Sequence, residues 1–147
     1  MGNTILIKKL YILVLLTFIT FKLAFMPFIV SGASMEPTLH TNNIGLAKNT
    51  KVFKHINRFN IVIIKQENRY LIKRVIGLPG EVVEYKDNKL YINGQETMDP
   101  YCSYTNDFNI TLTHDEYFCM GDNRENSADS RMFGPFKQYQ VVGVAIN

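Results

Sequence analysis

The 147-residue sequence predicts a mainly antiparallel β-sheet domain preceded by one N-terminal transmembrane helix. Two observations support this fold class. Residues 5–30 are almost all apolar, apart from two threonines and three lysines. After residue 31, short β-branched and aromatic runs alternate with turn residues, which is typical of strands and hairpins. We therefore expect a cytoplasmic stub and anchor at residues 1–26 and an extracytoplasmic β-rich domain at residues 27–147.

The apolar run is long enough to form a membrane anchor. About 20 helical residues cross the hydrocarbon core, and residues 10–21 supply twelve consecutive uncharged ones. Lys8 and Lys9 on one side and Lys22 on the other would extend toward the two membrane interfaces. Pro27 would end the helix. Two lysines before the run against one after it favour a cytoplasmic N-terminus.

The same residues also fit a cleavable signal peptide. A basic start, a twelve-residue apolar stretch and the small residues Ser31-Gly32-Ala33 match the three parts of such a segment. Lys22 argues against this alternative, because a charge between the apolar stretch and the cleavage site is unusual. The motif that follows argues further for the anchor.

The charge distribution excludes a nucleic-acid-binding protein. Three of the 16 Lys and Arg residues and none of the 13 Asp and Glu residues precede Ser31, so the net charge of +3 resides in the N-terminal segment. The remaining 13 basic and 13 acidic residues cancel. No basic patch for a nucleic acid is therefore expected.

Metal and disulfide sites are not expected either. The three histidines, His40, His55 and His114, stand far apart and have no metal-ligand spacing to a cysteine. Cys119 lies in a run that resembles a buried strand, where a free thiol behaves as a small apolar group. We expect Cys102 and Cys119 to be free, with a disulfide as the alternative.

Six runs predict strands, and two short segments predict turns between them. Lys86-Asp87-Asn88-Lys89 is expected to be a hairpin turn and Asn93-Gly94 the next turn. No helical periodicity of useful length follows the anchor. The predicted strands are residues 44–47, 60–64, 70–76, 82–85, 89–92 and 141–146.

Lys73 is a candidate general base. Side chains alternate along a strand, so Leu71, Lys73 and Val75 share one face. Burial among apolar neighbours disfavours the ammonium and lowers its pKa, which is how a lysine becomes a base near neutral pH. The alternative is an ordinary strand lysine whose stem covers apolar surface while its head reaches water.

Ser34 is the candidate nucleophile for that base. Its hydroxyl is weakly nucleophilic until a base removes the proton, and Ser–Lys pairs achieve this in several enzymes. The small residues Gly32 and Ala33 before it allow close approach of a backbone or substrate, and Pro37 would direct the chain after it. The alternative is an ordinary loop serine.

Three motifs in order resemble those of bacterial type I signal peptidases. They are Ser-Gly-Ala-Ser-Met-Glu-Pro-Thr-Leu at 31–39, Tyr-Leu-Ile-Lys-Arg-Val-Ile-Gly-Leu-Pro-Gly at 70–80, and Gly-Asp-Asn-Arg-Glu-Asn-Ser-Ala-Asp-Ser-Arg at 121–131. The short ectodomain resembles the compact single-anchor members typical of Gram-positive bacteria. The resemblance implies a serine endopeptidase of the bacterial cell membrane, with its catalytic domain outside the cytoplasm, that removes signal peptides from secreted preproteins. It implies no cofactor and no metal.

The resemblance also implies roles for individual residues. Ser34 would be the nucleophile and Lys73 the general base. Ser127 would donate a hydrogen bond that orients the lysine amine. Two ion pairs, Asp129 with Arg131 and Asp122 with Arg74, would hold the third motif against the Lys73 strand.

The implied partners are preprotein signal peptides and membrane lipid. The family's substrates have small residues at the first and third positions before the cut. Two shallow apolar pockets would accept these residues, with the substrate extended along strand edges. The residues implied to surround the pockets are Phe28, Val30, Met35, Leu39, Leu71 and Ile72.

The sequence departs from the family pattern at two places. The family commonly has Arg-Gly-Asp where this chain has Arg58-Phe59-Asn60, which we expect to alter a turn and not the chemistry. Some members carry an oxyanion-stabilising serine at the position of Gly32. Here the oxyanion would depend on the Ser34 N–H and on either the Gly32 backbone or the Ser31 hydroxyl.

Two other functions are compatible with parts of this pattern. A soluble self-cleaving repressor of the same broad fold also uses a Ser–Lys pair, but the anchor and the neutral ectodomain argue against it. An anchored, catalytically silent binding module is the second, and the filled catalytic positions argue against that.

Overall fold

The computed structural model describes residues 2–102 and 105–146, which form an N-terminal helix and two antiparallel sheets. The elements are α1 Gly2–Ala24, β1 Phe25–Ile29, β2 Ile44–Asn49, β3 Ile61–Gln66, β4 Arg69–Gly77, β5 Val82–Lys86, β6 Lys89–Ile92, β7 Gln95–Thr97, β8 Phe108–Thr111, β9 Glu116–Met120, α2 Ser130–Phe133, β10 Phe136–Lys137 and β11 Val141–Ala145. The mainly β fold with an N-terminal helix is as predicted.

Helix α1 is shorter at its C-terminus than predicted. It ends at Ala24, and the expected continuation to Met26 is wrong, because Phe25 and Met26 begin β1 and pair with Lys48 and Ala47 of β2. Residue type does not distinguish α1 from β1, because both are apolar. The boundary between them is set by the pairing of β1 with β2. Among the described residues, no helix meets the length and apolarity required of a membrane span.

The larger sheet has seven strands in the order β1-β2-β11-β3-β4-β9-β10, and every neighbouring pair is antiparallel. β4 lies between β3 and β9 and carries Lys73, whose backbone pairs with Val62. The first strand in the order, β1, faces β4 across a cleft, although the two strands are not neighbours in the sheet. The cleft places β1 and the serine that follows it beside Lys73.

The smaller sheet has four strands in the order β7-β6-β5-β8. Both predicted turns are present. Asp87 and Asn88 have φ values of 51° and 59°, which suit the two-residue turn joining β5 to β6. Asn93 and Gly94, with φ values of 51° and 78°, join β6 to β7. The predicted hairpin between residues 82 and 92 is therefore confirmed.

Strands β4 and β9 form a wall with a separate apolar core on each face. Val75 and Cys119 point into one core, and Ile76 and Phe118 point into the other. This alternation is the two-residue period of a strand. At the end of β4, a Cβ on Gly77 would lie 2.4 Å from a Val83 methyl, so glycine allows the smaller sheet to approach.

The strand predictions fail mainly where strands are short or lack alternation. Four of the six predicted runs lie within β2, β4, β5 and β6, the other two match β3 and β11 with one extra residue each, and the buried strand expected around Cys119 is β9. β7, β8 and β10 were not predicted, and β1 was expected only as the strand edge near Phe28 and Val30 that the family resemblance implies. Cys102 and Cys119 are both free, the first half-buried and the second buried.

Candidate active site

Ser34 and Lys73 are in direct contact. Lys73 Nζ lies 2.6 Å from Ser34 Oγ, although 39 positions separate the two residues in sequence. Ser34 follows β1 in a tight turn, in which the Glu36 N–H donates to the Ala33 carbonyl over 3.1 Å. The Leu39 N–H donates to the Met35 carbonyl over 2.9 Å and continues the turn. A neutral amine at this distance can accept the hydroxyl proton.

Lys73 is buried without a carboxylate partner. Its side chain lies on the face of β4 that Val75 shares, and the residue is only 3% exposed. The alternative in which the lysine head reaches water is therefore wrong. No ion pair among residues 2–102 and 105–146 includes Lys73. Burial lowers the pKa of Lys73 below its ordinary value of 10.5, and the attraction of Asp129 offsets this only in part.

The serine turn is held by the loop that carries the third motif. The Asn123 N–H donates to the Ser34 carbonyl over 3.1 Å, and Asn123 Nδ2 donates to the Ala33 carbonyl over 3.2 Å. Gly121 makes this approach possible. A Cβ on Gly121 would lie 2.4 Å from the Ser34 carbonyl oxygen and 2.2 Å from Ser127 Oγ. Position 121 therefore requires glycine.

Arg74 forms a two-pronged ion pair with Asp122. Arg74 Nε lies 2.7 Å from Asp122 Oδ1 and Nη2 lies 2.6 Å from Oδ2. The Asp122 side chain is fully buried, and it also accepts a hydrogen bond of 2.5 Å from Thr38 Oγ1. Arg74 Nη1 donates to the Phe59 carbonyl over 2.8 Å. The hydrogen bonds to Asp122 raise the pKa of Arg74.

Asp129 forms the second ion pair, with Arg131. Arg131 donates from Nε and from Nη2 over 2.9 Å each, and the Gly121 N–H donates to Asp129 Oδ2 over 2.9 Å. Asp129 also caps α2, because its Oδ1 accepts from the Arg131 N–H. Burial favours the protonated acid, but the bonds from Arg131 and Gly121 outweigh it and lower the pKa of Asp129.

Ser127 does not contact Lys73 in the predicted manner. Its hydroxyl oxygen is buried and has no hydrogen-bond partner among the described residues, while Lys73 Nζ bonds to Ser34. Ser127 lies instead against Gly121, beside the Ser34 carbonyl. The predicted Ser127–Lys73 hydrogen bond is therefore absent from this structure, although the hydroxyl is close to the dyad.

One apolar cleft of about 360 Å³ leads from β1 to the dyad. Five of the six predicted pocket residues line it. The sixth, Leu39, is outside the lining, because its backbone belongs to the turn that follows Met35. The lining residues are Met26, Pro27, Phe28, Ile29, Val30, Ser31, Gly32, Ser34, Met35, Ile63, Tyr70, Leu71, Ile72 and Lys73.

The Gly32 backbone is not free to stabilise an oxyanion. Its N–H donates to Thr41 Oγ1 over 3.2 Å, and the same hydroxyl donates back to the Gly32 carbonyl. The φ of Gly32 is 95°, which suits glycine and not serine. The Gly32 N–H is therefore already bonded in this conformation, and its role as the second donor stays a prediction. The Ser31 hydroxyl remains as the predicted alternative.

The segment Arg58-Phe59-Asn60, which departs from the family pattern, includes a turn. Phe59 has a φ of 66°, a left-handed conformation that normally favours glycine. The Phe59 carbonyl accepts the bond from Arg74, and the Phe59 N–H donates to the Val75 carbonyl over 2.8 Å. The turn therefore supports β4 from the side opposite β9.

Sequence reasoning missed the residues that connect the smaller sheet to the site. Arg124 lies within the third motif, but nothing in the motif indicated its partners. Those partners are Tyr85 on β5 and Asp99 after β7. Pairs separated by 39 and 25 positions leave no periodic signal in a single sequence.

Comparisons with known proteins agree with the motifs. The family model "Signal peptidase, peptidase S26" matches residues 4–147. A signal peptidase I of Bacillus amyloliquefaciens is 38% identical over 94% of this chain and 83% of its own length. Signal peptidase I V of Bacillus subtilis strain 168 is 40% identical over 82% of this chain and 83% of its own length.

A solved structure is similar to this chain in both fold and sequence. The crystal structure of a signal peptidase I from Enterococcus faecalis V583 aligns with a TM-score of 0.58 and 38% sequence identity, covering 61% of this chain and 96% of that one. The chain therefore belongs to the signal peptidase family, peptidase S26.

Proposed function

We propose that this chain is a signal peptidase I that removes N-terminal signal peptides from secreted preproteins with a Ser34–Lys73 dyad. The observation that carries the proposal is the 2.6 Å contact between Lys73 Nζ and Ser34 Oγ. The lysine is buried without a carboxylate partner, so its neutral form is favoured there. A contact of this kind serves nucleophilic catalysis, whereas an ordinary strand lysine would pair with a carboxylate or reach water.

The reaction then has two steps with one base. Neutral Lys73 accepts the Ser34 hydroxyl proton as Oγ attacks the scissile carbonyl, and the protonated amine returns that proton to the departing amine of the mature protein. The signal peptide remains bound to Oγ as an ester. Lys73 next accepts a proton from water as the water oxygen attacks the ester carbonyl. The protonated amine then gives that proton to Ser34 Oγ, which releases the signal peptide and restores the Ser34 hydroxyl and the neutral amine.

The ion pairs around the dyad bring each charged group near Lys73 together with a partner of opposite charge. Arg74 and Arg131, which would otherwise add to the field on the amine, are each paired with a carboxylate. Asp122 and Asp129 are thereby occupied and do not form a salt bridge with the lysine. Buried charges that are paired with one another disturb a neutral base less than unpaired ones. In the proposal, the Ser127 hydroxyl orients the amine once the substrate is bound.

The cleft beside the dyad is proposed to bind the residues before the cut. An extended peptide between β1 and β4 would bond to backbone groups of both strands, and apolar side chains would limit the size of its own side chains. Phe28, Val30, Met35, Leu71 and Ile72 supply this apolar lining. The Ser34 N–H and the Ser31 hydroxyl are the proposed oxyanion donors.

We assign α1 the role of membrane anchor within this proposal. The predicted boundary at residue 26 moves to Ala24, because Phe25 and Met26 pair with β2 in the domain that is proposed to lie outside the cytoplasm. The large apolar side chains of α1 from Ile5 to Leu23 are 44% to 70% exposed, which is unfavourable in water. Lys8 and Lys9 favour a cytoplasmic N-terminus in a bacterial membrane. An alkaline carbonate wash of the membranes should leave the chain in the pellet, and a Leu13→Lys, Leu16→Lys variant should be released.

A preprotein-cleavage assay in detergent with added lipid tests the proposed function. The wild-type chain should cut a signal-peptide substrate at its small residues, and Ser34→Ala and Lys73→Ala should not. Lys65→Ala is the matched control, because Lys65 is an exposed lysine on the neighbouring strand β3 and should leave the activity unchanged. A wild-type chain that binds but does not cut the substrate would instead indicate a silent binding module. The intact mass of the membrane-extracted chain separates an anchor from a cleaved segment.

A further inference from the structure

A buried three-residue network lies between the smaller sheet and the active site. The Asp99 side chain is fully buried and that of Arg124 is 2% exposed, with 2.6 Å between Asp99 Oδ2 and Arg124 Nη2. The Tyr85 hydroxyl donates to the same carboxylate oxygen and accepts from Arg124 Nη1 over 3.0 Å. Neither Asp99 nor Tyr85 has a role in the reaction described above. We call residues 99–101, the segment after β7 that carries Asp99 and Tyr101, the strap.

The first connection from the strap reaches Ser34 through Arg124. Arg124 Nε donates to the Gly121 carbonyl over 2.9 Å, while the Arg124 carbonyl accepts from Arg131 Nη2 over 2.8 Å. The preceding residue, Asn123, holds the Ser34 carbonyl through its N–H. The position of the Arg124 guanidinium therefore determines the position of the loop that holds the nucleophile.

The second connection reaches the chain on the other side of Ser34. The Tyr101 hydroxyl lies 2.8 Å from Thr38 Oγ1, and the Arg74 guanidinium lies 5.3 Å from the centre of the Tyr101 ring. Inside the strap, the Tyr101 N–H donates to Asp99 Oδ1 over 3.0 Å. Asp99 therefore bonds to both connections at once, with one carboxylate oxygen on each.

We propose that the strap positions Ser34 for attack, with Asp99 and Tyr85 as positioning residues that act through Arg124. The inference rests on the proposed function. A buried ion pair is a weak source of stability, because apolar residues of similar volume are often as stable. The Asp99–Arg124 pair does fix the orientation of the groups that it joins, because the guanidinium is planar and rigid and its five N–H groups point in set directions. A nucleophile displaced by about 1 Å can lose about 10²-fold in rate.

The strap should affect the position of Ser34 Oγ and not the pKa of Lys73. The strongest electrostatic influences on the pKa of Lys73 come from Asp129, Arg131, Asp122 and Cys119, and neither Asp99 nor Arg124 is among them. The cleft that is proposed to bind the substrate does not include Asp99, Tyr101 or Arg124 either. A weakened strap should therefore lower kcat while KM and the acid limb of the pH–rate profile stay in place.

The test compares three variants of the full chain at a temperature at which circular dichroism shows each to be folded. Asp99→Asn removes the charge but keeps the side-chain shape, and Tyr85→Phe removes only the hydroxyl. Glu81→Gln is the matched control. Its partly buried pair with Arg58 has the same 2.6 Å contact but makes no bond to either catalytic loop.

The expected result is a fall in kcat of about tenfold to 10²-fold for Asp99→Asn, with KM within about twofold. Tyr85→Phe should lose about threefold in kcat, the effect of one net hydrogen bond. Glu81→Gln should lose thermal stability and keep kcat. If Asp99→Asn does not fold at any temperature, Tyr85→Phe decides in its place.

Three results would overturn the inference while leaving the proposed function intact. They are an unchanged kcat in folded Asp99→Asn, an unchanged kcat in Tyr85→Phe, and a shifted acid limb, which would mean that the network tunes Lys73. A wild-type chain that does not cleave a signal-peptide substrate would instead contradict the proposed function itself.

Discussion

Lys73 and Arg74 are neighbours on β4, yet their side chains occupy opposite electrostatic environments. Lys73 points toward the core that Val75 shares, is 3% exposed and has no ion pair among the described residues. Arg74 points the other way, where Asp122 meets it with two hydrogen bonds. The pKa of Lys73 is lowered by burial, and that of Arg74 is raised by its partner. One strand thus lowers the pKa of one basic group and raises the pKa of the next.

The difference shows how a β strand can place a proposed catalytic base and a structural ion pair at adjacent positions. Alternation places consecutive side chains on opposite faces without any change in the backbone. A carboxylate on the Lys73 face would stabilise the ammonium and remove the base. On the Arg74 face, the carboxylate of Asp122 also accepts from Thr38, which ties the serine turn to β4. An arginine at position 73 could not serve as the base, and a lysine at position 74 could not form the same two-pronged ion pair with Asp122.

The largest expected effect is the loss of activity in Lys73→Met. Removal of the general base should lower kcat/KM by about 10⁴-fold. Because Ser34 and Lys73 act as a unit, the double variant Ser34→Ala, Lys73→Met should be no less active than either single variant. Steady-state kinetics on a signal-peptide substrate measures both effects. Additive losses would show that the two residues act independently.

Arg74→Met should chiefly destabilise the fold. It leaves the fully buried Asp122 carboxylate without its cation, which costs about 3–5 kcal/mol of unfolding free energy. Denaturant unfolding of the two β4 variants measures the contrast. Arg74→Met should regain most of its activity on cooling, whereas Lys73→Met should not. Equal stability of Arg74→Met and wild type would contradict a stabilising role for the Arg74–Asp122 ion pair.

The pH dependence of stability should differ in sign from that of a paired lysine. Since the pKa of Lys73 is lower in the folded protein than the ordinary 10.5, the unfolded chain binds the extra proton between those two values. The Lys73 contribution is therefore unfavourable at and below the lowered pKa and disappears as the pH rises toward 10.5. Lys73→Met should be more stable than wild type near neutral pH, with a margin that shrinks in alkali. A margin that grows with pH would contradict a buried neutral amine.

The smallest expected effect concerns the turn that supports Arg74. Phe59 is left-handed, with a φ of 66°, and its carbonyl accepts from Arg74. Phe59→Gly and Phe59→Ala both lose the ring, but only alanine retains the strain of this conformation. Glycine should therefore be more stable than alanine by about 1 kcal/mol, with kcat alike in the two variants. Thermal unfolding of the pair measures the difference, and an alanine variant as stable as the glycine one would argue against strain.

The Lys73 face could be predicted from sequence because it depends on local periodicity. Leu71, Lys73 and Val75 recur at intervals of two, and the motif around Ser34 identified the partner. The two ion pairs of the third motif could be named by family resemblance, and both are present as contacts. The cleft residues Phe28 and Val30, and a strand edge near them, were named in the same way, although residue pattern alone did not predict β1. Its apolar residues continue those of α1, and only pairing with β2 distinguishes them.

The remaining features depend on contacts between distant segments. The Arg124 partners, Tyr85 and Asp99, come from the smaller sheet, and a single sequence carries no period that would join them. The bond from the Gly32 N–H to Thr41 depends on how the serine turn closes, which residue types alone do not specify. For the same reason the Ser127 hydroxyl, expected on the lysine, lies beside Gly121 instead.

The most direct test of the dyad is the titration of Lys73 itself. In the detergent-solubilised full chain with ¹³Cε-labelled lysines, the Lys73 resonance is identified by its loss in Lys73→Met. It should titrate well below 10.5, at the same pH as the acid limb of kcat/KM. A Lys73 resonance that titrates near 10.5 with the exposed lysines, in an enzyme that is fully active at neutral pH, would contradict a neutral lysine base.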